Sequence, residues 1–169
     1  FGSLTSTVSM VGMIDIQGVP NIVALNRENS LMQLFKRTTD FQFQPVLTPT
    51  PTTDQVSNPS PTAMTIADFN GDSLLDVAIA NRNLAQRIHS IVLFYQTPQS
   101  TLEKGPIYVT EPDTLPMALA TGDFNGDRKA DLLVVNQDLN GKLGIKNVSI
   151  YLQQDSGLSS PFSFTYEVS

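Results

Sequence analysis

Ile66-Ala67-Asp68-Phe69-Asn70-Gly71-Asp72-Ser73-Leu74-Leu75-Asp76-Val77-Ala78-Ile79-Ala80-Asn81 recurs further along the chain as Thr121-Gly122-Asp123-Phe124-Asn125-Gly126-Asp127-Arg128-Lys129-Ala130-Asp131-Leu132-Leu133-Val134-Val135-Asn136. Both copies pass through an acidic loop into a continuous apolar run that ends on asparagine. Pro61 and Pro116 keep the same frame, the offset that carries Asp68 to Asp123. The same offset taken backwards places Asn26 opposite Asn81, after the apolar run Asn21-Ile22-Val23-Ala24-Leu25. Self-similarity at such a period marks a solenoid or propeller built from one supersecondary unit per repeat. The chain therefore divides into residues 1–60, 61–115 and 116–169 as three blades, the first of them degenerate.

Each repeat reads as β structure, with short runs rich in branched and aromatic residues between Gly, Pro, Asn and Asp. In the second repeat the expected strands are Met64 to Ala67, Val77 to Ala80, Ile91 to Tyr95 and Ile107 to Thr110. In the third they are Ala118 to Ala120, Leu132 to Val135, Val148 to Leu152 and Phe162 to Tyr166. The second run of each set is apolar on both faces, as a strand sandwiched between neighbouring sheets must be; a one-sided sheet alternates. The expected fold is all-β, with three four-stranded antiparallel propeller-type blades. A closed propeller needs roughly four to eight blades, so three imply an incomplete propeller, or an array completed by other copies or further blades. The competing fold is a β-sandwich with two similar turns.

The acidic loop carries the chemistry. Oxygen-bearing side chains fall at loop positions one, three, five and nine, as Asp68, Asn70, Asp72 and Asp76, and again as Asp123, Asn125, Asp127 and Asp131. Calcium takes six to eight hard oxygen ligands, and a main-chain carbonyl at position seven, from Leu74 or Lys129, would add to each set. Two calcium ions are expected, with a structural role. Gly71 and Gly126 at position four suit a turn with positive φ. A strand follows where an EF-hand would place a helix, and position twelve holds Ile79 or Val134 in place of a glutamate. The metal-free alternative is a pair of Asx-rich turns, set against the mutual repulsion of three carboxylates in so short a loop. Use of two carboxylates as a glycosidase acid and base is disfavoured by the likeness of the two loops.

Asp-Phe-Asn-Gly-Asp-x-x-x-Asp followed by an apolar strand resembles the FG-GAP (VCBS-type) repeat of integrin α-subunit propellers and many secreted proteins. The resemblance implies that the loop joins the first two strands of a blade and binds calcium through the residues just named. It also implies an extracellular or cell-surface setting and a role in adhesion, recognition or scaffolding. Two features depart from the family: Ser73 and Arg128 stand at the sixth position, where the family often has glycine. In the first repeat, Met13, Gln17 and Asn21 replace the first, fifth and ninth ligands, leaving Asp15 alone. No metal is expected there.

Composition narrows the remaining choices. A net charge of −6 with scattered Lys and Arg opposes binding to phosphate backbones, so no nucleic-acid partner is expected. No run approaches the roughly 18 apolar residues of a spanning helix. With no cysteine there is neither a disulfide framework nor a thiolate site. No secretory leader is visible at Phe1 to Thr5. His89 is the sole histidine, so no nucleophilic triad is assembled and an enzyme is not expected; His89 reads as a strand-edge residue. Phe94, Tyr95, Tyr108 and Tyr151 read as core rather than as a sugar-stacking platform. The tract from Pro45 to Thr62 reads as an exposed loop or linker, with Thr48, Thr50, Thr52 and Thr53 as candidate O-glycosylation sites against a plain stiff connection. Asn147-Val148-Ser149 is the one acceptable N-glycosylation sequon.

These features point to a non-catalytic, calcium-stabilised structural or adhesive repeat protein that associates with itself or with further blades, possible filaments included. The alternatives are a module recognising a glycan or protein ligand, and a non-catalytic appendage of a larger enzyme.

Overall fold

A computed structural model describes residues 8–27, 30, 32–39, 42–46, 60–84, 86–110, 114–139, 148–155 and 157–164. Fourteen strands occur among them and no helix, hence none long and apolar enough to cross a membrane. The first sheet holds β1 (Val8–Ile16), β2 (Val19–Asn26), β3 (Met32–Thr39) and β4 (Gln42–Val46). The second holds β5 (Ser60–Ala67), β6 (Asp76–Arg82), β7 (Ser90–Gln96) and β8 (Leu102–Val109). The third is built from β9 (Thr114–Gly122), β10 (Asp131–Asp138), β11 (Val148–Tyr151) and β14 (Phe162–Phe164), with a small hairpin of β12 (Gln153–Gln154) and β13 (Gly157–Leu158) inserted before its last strand. All three are antiparallel four-stranded meanders and none closes into a barrel. The expected all-β repeat architecture is what the chain adopts, in a form consistent with an incomplete propeller or open array.

Every strand expected in the second and third repeats lies within an observed one, apart from the end residues Thr110 and Leu152, while Thr165 and Tyr166 lie outside the described residues. The β12–β13 hairpin carried no signal in the repeat frame. Pro45 and Val46 belong to β4, and Ser60, Pro61 and Thr62 to β5, so both ends of the Pro/Thr-rich tract are strand and not loop. Thr48, Thr50, Thr52, Thr53 and Asn147 lie outside the described residues.

Apolar pressure between sheets creates two cores. One seals the first sheet to the second, with Ile14, Ile16, Val23, Leu25, Met32 and Leu34 meeting Val77, Ile79, Val92 and Phe94. Gly12 permits this approach: a Cβ there would stand 2.5 Å from the Ile66 side chain. The other core joins the second sheet to the third, with Phe69, Ala78, Ala80, Ile91 and Leu93 against Leu132, Val134, Tyr151 and Leu158. Residues alternate between these cores along β6, because successive side chains of a strand point to opposite faces. All of β6 from Asp76 to Asn81 is buried. Its two-sided apolar character follows from being the middle layer.

Of the aromatic residues expected in the core, Phe94 and Tyr151 are buried and Tyr95 and Tyr108 pack half-buried against the second core. The Tyr108 and Tyr151 rings meet edge to face at 5.8 Å. His89 stands at the edge of β7, directly before Ser90, and is buried there, its Nδ1 accepting the Asn83 N–H at 3.1 Å.

Candidate functional site

The two acidic loops connect β5 to β6 and β9 to β10, the first two strands of their sheets. Their main chains are near copies. Asp68 Oδ1 accepts the Gly71 N–H at 2.6 Å and its Oδ2 accepts the Ser73 N–H at 2.8 Å. Asp123 accepts those of Gly126 and Arg128 at the same distances. Asp72 Oδ1 accepts from Leu74 N–H, and Asp127 Oδ1 from Lys129 N–H. Gly71 and Gly126 have φ of 80° and 84°, as their position in the turn demands. Ser73 and Arg128 also occupy the left-handed region, at 68° and 67°. Glycine would adopt that conformation freely, whereas a side chain there costs about 1 kcal/mol of backbone strain.

Position nine differs from the others in burial. Asp76 and Asp131 are both fully buried. Asp76 Oδ2 accepts the Phe69 N–H and its Oδ1 accepts the Gln96 N–H at the end of β7, both at 2.9 Å. Asp131 repeats this with Phe124 N–H at 2.9 Å and Gln153 N–H at 2.8 Å. Asp76 thus ties its loop to the third strand of its sheet, and Asp131 to the residue pair that follows the third strand. No ammonium or guanidinium pairs with either carboxylate among the described residues, although buried charges ordinarily find a partner. Burial pushes the Asp76 carboxyl up to about 7; the main-chain donors from Gln96 and Phe69 pull it down, and the nearby Asp72 and Asp68 raise it again.

Among the described residues no three acidic or histidine side chains stand gathered as a ready ligand set. The carboxylates of positions one and five turn to main-chain N–H groups, and the Asn70 and Asn125 amide nitrogens each donate to the aspartate two places on, Asp72 or Asp127, at 3.0 Å. An amide nitrogen facing that carboxylate means coordination through the amide oxygen requires the Asn70 and Asn125 side chains to rotate. The donor chemistry itself fits a hard divalent cation: every candidate is oxygen, and each loop ends on a buried carboxylate lacking a counter-charge. Lys129 is drawn out of the third-sheet loop by Asp155, 2.9 Å away at the exposed surface. Each holds the other charged, Asp155 below and Lys129 above its usual range. The Asp127 carboxyl is held low by the Asn125 amide and then by the Lys129 N–H.

Gln96 and Gln153 escape the repeat frame, because the offset that carries Asp76 to Asp131 carries Gln96 to Tyr151. Besides their main-chain bonds to position nine, both side chains reach the preceding sheet, Gln96 at the end of β1 and Gln153 at the acidic loop. With its amide nitrogen facing the carbonyls, Gln96 donates to Asp15 O at 3.2 Å and Leu75 O at 3.0 Å. Gln153 Nε2 lies against Gly71, and its Oε1 accepts the Ala130 N–H. Successive connections are in this way laced together along one rim.

Residues 68–134 match the family model of the FG-GAP-like repeat. No curated protein and no solved structure gives a significant match. The matched span begins on Asp68 at the first position of one acidic loop and ends on Val134, in the strand that follows the other. Over that span, which takes in both acidic loops and the strands between them, the chain is similar to the FG-GAP-like repeat.

Proposed function

We propose that this β-propeller-type repeat module is a calcium-stabilised structural or adhesive element that works outside the cell and performs no catalysis. Repeats of this family are typically non-catalytic and typically found in extracellular or surface proteins, which supports both parts of the reading. The observation that carries the calcium role is the pair of fully buried carboxylates, Asp76 and Asp131, each at the end of an oxygen-lined loop and each without a cationic partner among the described residues.

Asp68, Asn70, Asp72, Asp76 and the Leu74 carbonyl would hold one ion; Asp123, Asn125, Asp127, Asp131 and the Lys129 carbonyl would hold the other. A bound calcium supplies the positive charge that lets three carboxylates share one loop. The protein's own part is to fix position nine through Gln96 N–H and Gln153 N–H, so that order in the loop is passed to the sheet. Thermal melts in calcium and in excess chelator test this. With free calcium about tenfold above its dissociation constant, each site adds about 1.4 kcal/mol, and the midpoint rises by several degrees. An identical midpoint in chelator would overturn the calcium role.

A further inference from the structure

The three sheets stack with one polarity. Val23 and Leu25 of β2 face the second sheet; Ala78 and Ala80, at the equivalent places of β6, face the third. The next pair in the frame, Leu133 and Val135 of β10, points away from the second sheet and meets no covering sheet among the described residues. Register extends that open face across the whole sheet. Ala120, Leu133, Ile150 and Phe162 form one cross-strand row. Ala118, Val135, Val148 and Phe164 form the neighbouring row. Both rows are entirely apolar, with Phe162 72%, Phe164 42% and Val135 39% exposed. Phe124 beside them is 44% exposed, whereas its counterpart Phe69 is wholly buried under the third sheet.

At the other end, Ile22 and Ala24 of β2 stand where Val77 and Ile79 stand in β6, on the face that a preceding sheet covers. Here Met13, Ile22, Phe35 and Pro45 make one cross-strand row. Met13 is 71% and the adjacent Val11 65% exposed. This face is concave, lined by Val11, Met13, Pro20, Ile22 and Phe43, with Gly12, Asn21 and Arg37 among them. One end therefore presents exposed aromatic rings and the other a mainly apolar hollow that Arg37 also lines, each continuing the register of a junction that already exists twice inside the chain. Contiguous apolar faces of this kind mark interfaces.

We infer that the open face of the third sheet seats on the open face of the first sheet in a second copy of this chain, head to tail. The interface rests on the propeller-type repeat reading and not on calcium. It is heterologous, the same kind of contact at every junction, and such contacts close into a ring or run on as an open row.

Sedimentation of the whole chain at micromolar concentration in calcium gives the mass of at least two copies. Met13→Asp and Phe162→Asp each break one side of every junction, so each alone sediments as a monomer, with affinity weakened at least about a hundredfold. Mixing the two restores association, because the intact third sheet of one variant meets the intact first sheet of the other. Both positions are exposed, and restoration on mixing shows that both variants are folded. A wild-type monomer overturns the inference, as does Met13→Asp or Phe162→Asp still self-associating, or a mixture that stays monomeric. A monomer whose melting midpoint still rises with calcium would remove the interface and leave the calcium role standing.

Discussion

The same nine-position frame is used in two ways. In the first sheet, residues 13–21 continue the β1–β2 ladder, Met13 opposite Ile22, Ile14 opposite Asn21, Asp15 opposite Pro20 and Ile16 opposite Val19, closed by the tight turn Gln17-Gly18. In the second and third sheets the ladder stops at Ala67 and Gly122, and the chain leaves it as open acidic loops that return at Asp76 and Asp131. Sequence dictates the difference. Met-Ile-Asp-Ile can alternate along a strand, and Gln17 and Gly18, with φ of 55° and 76°, fit the left-handed pair that tight hairpins need. Asp-Phe-Asn-Gly-Asp offers side chains that bond their own backbone instead. Position nine records the same split. Asn21 accepts the Arg37 N–H at 2.9 Å, as Asp76 accepts that of Gln96, but its amide nitrogen donates to Val19 O where Asp76 has a second carboxylate oxygen for Phe69 N–H. Where no acidic loop needs holding, a neutral amide suffices.

The second position of the frame sharpens the contrast most. Ile14 and Phe69 are both fully buried and both point into the next sheet, whereas Phe124 has none to enter among the described residues. In urea unfolding of the monomeric Met13→Asp background, Phe69→Ala should cost about 3 to 5 kcal/mol and Ile14→Ala about 2 to 5 kcal/mol, while Phe124→Ala costs under about 1 kcal/mol. Equal costs at 69 and 124 would mean that the third sheet's outer face is covered within the chain.

A smaller effect separates the frames by charge. In chelator, the folded Asp76 carboxyl titrates at about 7 against 3.8 in an unfolded chain. Between those values the folded state holds the extra proton, so stability from this group is greatest below about pH 4 and falls by roughly 1.4 kcal/mol per unit as pH rises towards 7. Calcium, which binds the ionised carboxylate, offsets that loss. The calcium-induced rise in melting midpoint should therefore be larger at pH 7.5 than at pH 5.5. A rise independent of pH would separate Asp76 from the cation. Grafting residues 13–21 in place of 68–76 should abolish that loop's share of the calcium response.

The smallest effect concerns backbone strain. Ser73→Gly and Arg128→Gly relieve a left-handed conformation, partly offset by the freedom glycine adds to the unfolded chain. Each should gain up to about 1 kcal/mol in chemical denaturation. A loss at either position would show that its side chain makes a contact outweighing the strain.

Much of the fold was legible because one repeat signal set strand order, sheet number and loop position together. The two-faced run Val77 to Ala80 announced a middle layer from its residues alone. What escaped has a physical reason in each case. Gln96 and Gln153 lie out of phase with one another, so a fixed offset hides them. Among the described residues the β12–β13 hairpin sits in one repeat only. Buried His89 is held by the Asn83 N–H on its ring and by Thr110 on its carbonyl, and a lone histidine carries no local mark of either. At the candidate site, residue types and spacing were legible, as was the main-chain turn they build. The turning of Asp68, Asp72 and their asparagine neighbours onto other partners was not, since carboxylate oxygens serve a turn and a cation equally well.

Calorimetric titration of calcium into the chelator-treated chain bears on the whole scheme. Two ions should bind per chain, one in Asp76→Asn, one in Asp131→Asn and none in the double variant. These substitutions also remove the acceptor for Phe69 N–H or Phe124 N–H, so stoichiometry is the readout rather than stability. No heat of binding in the wild type, or a stoichiometry unchanged by either substitution, would contradict calcium as the ion these loops were built to hold.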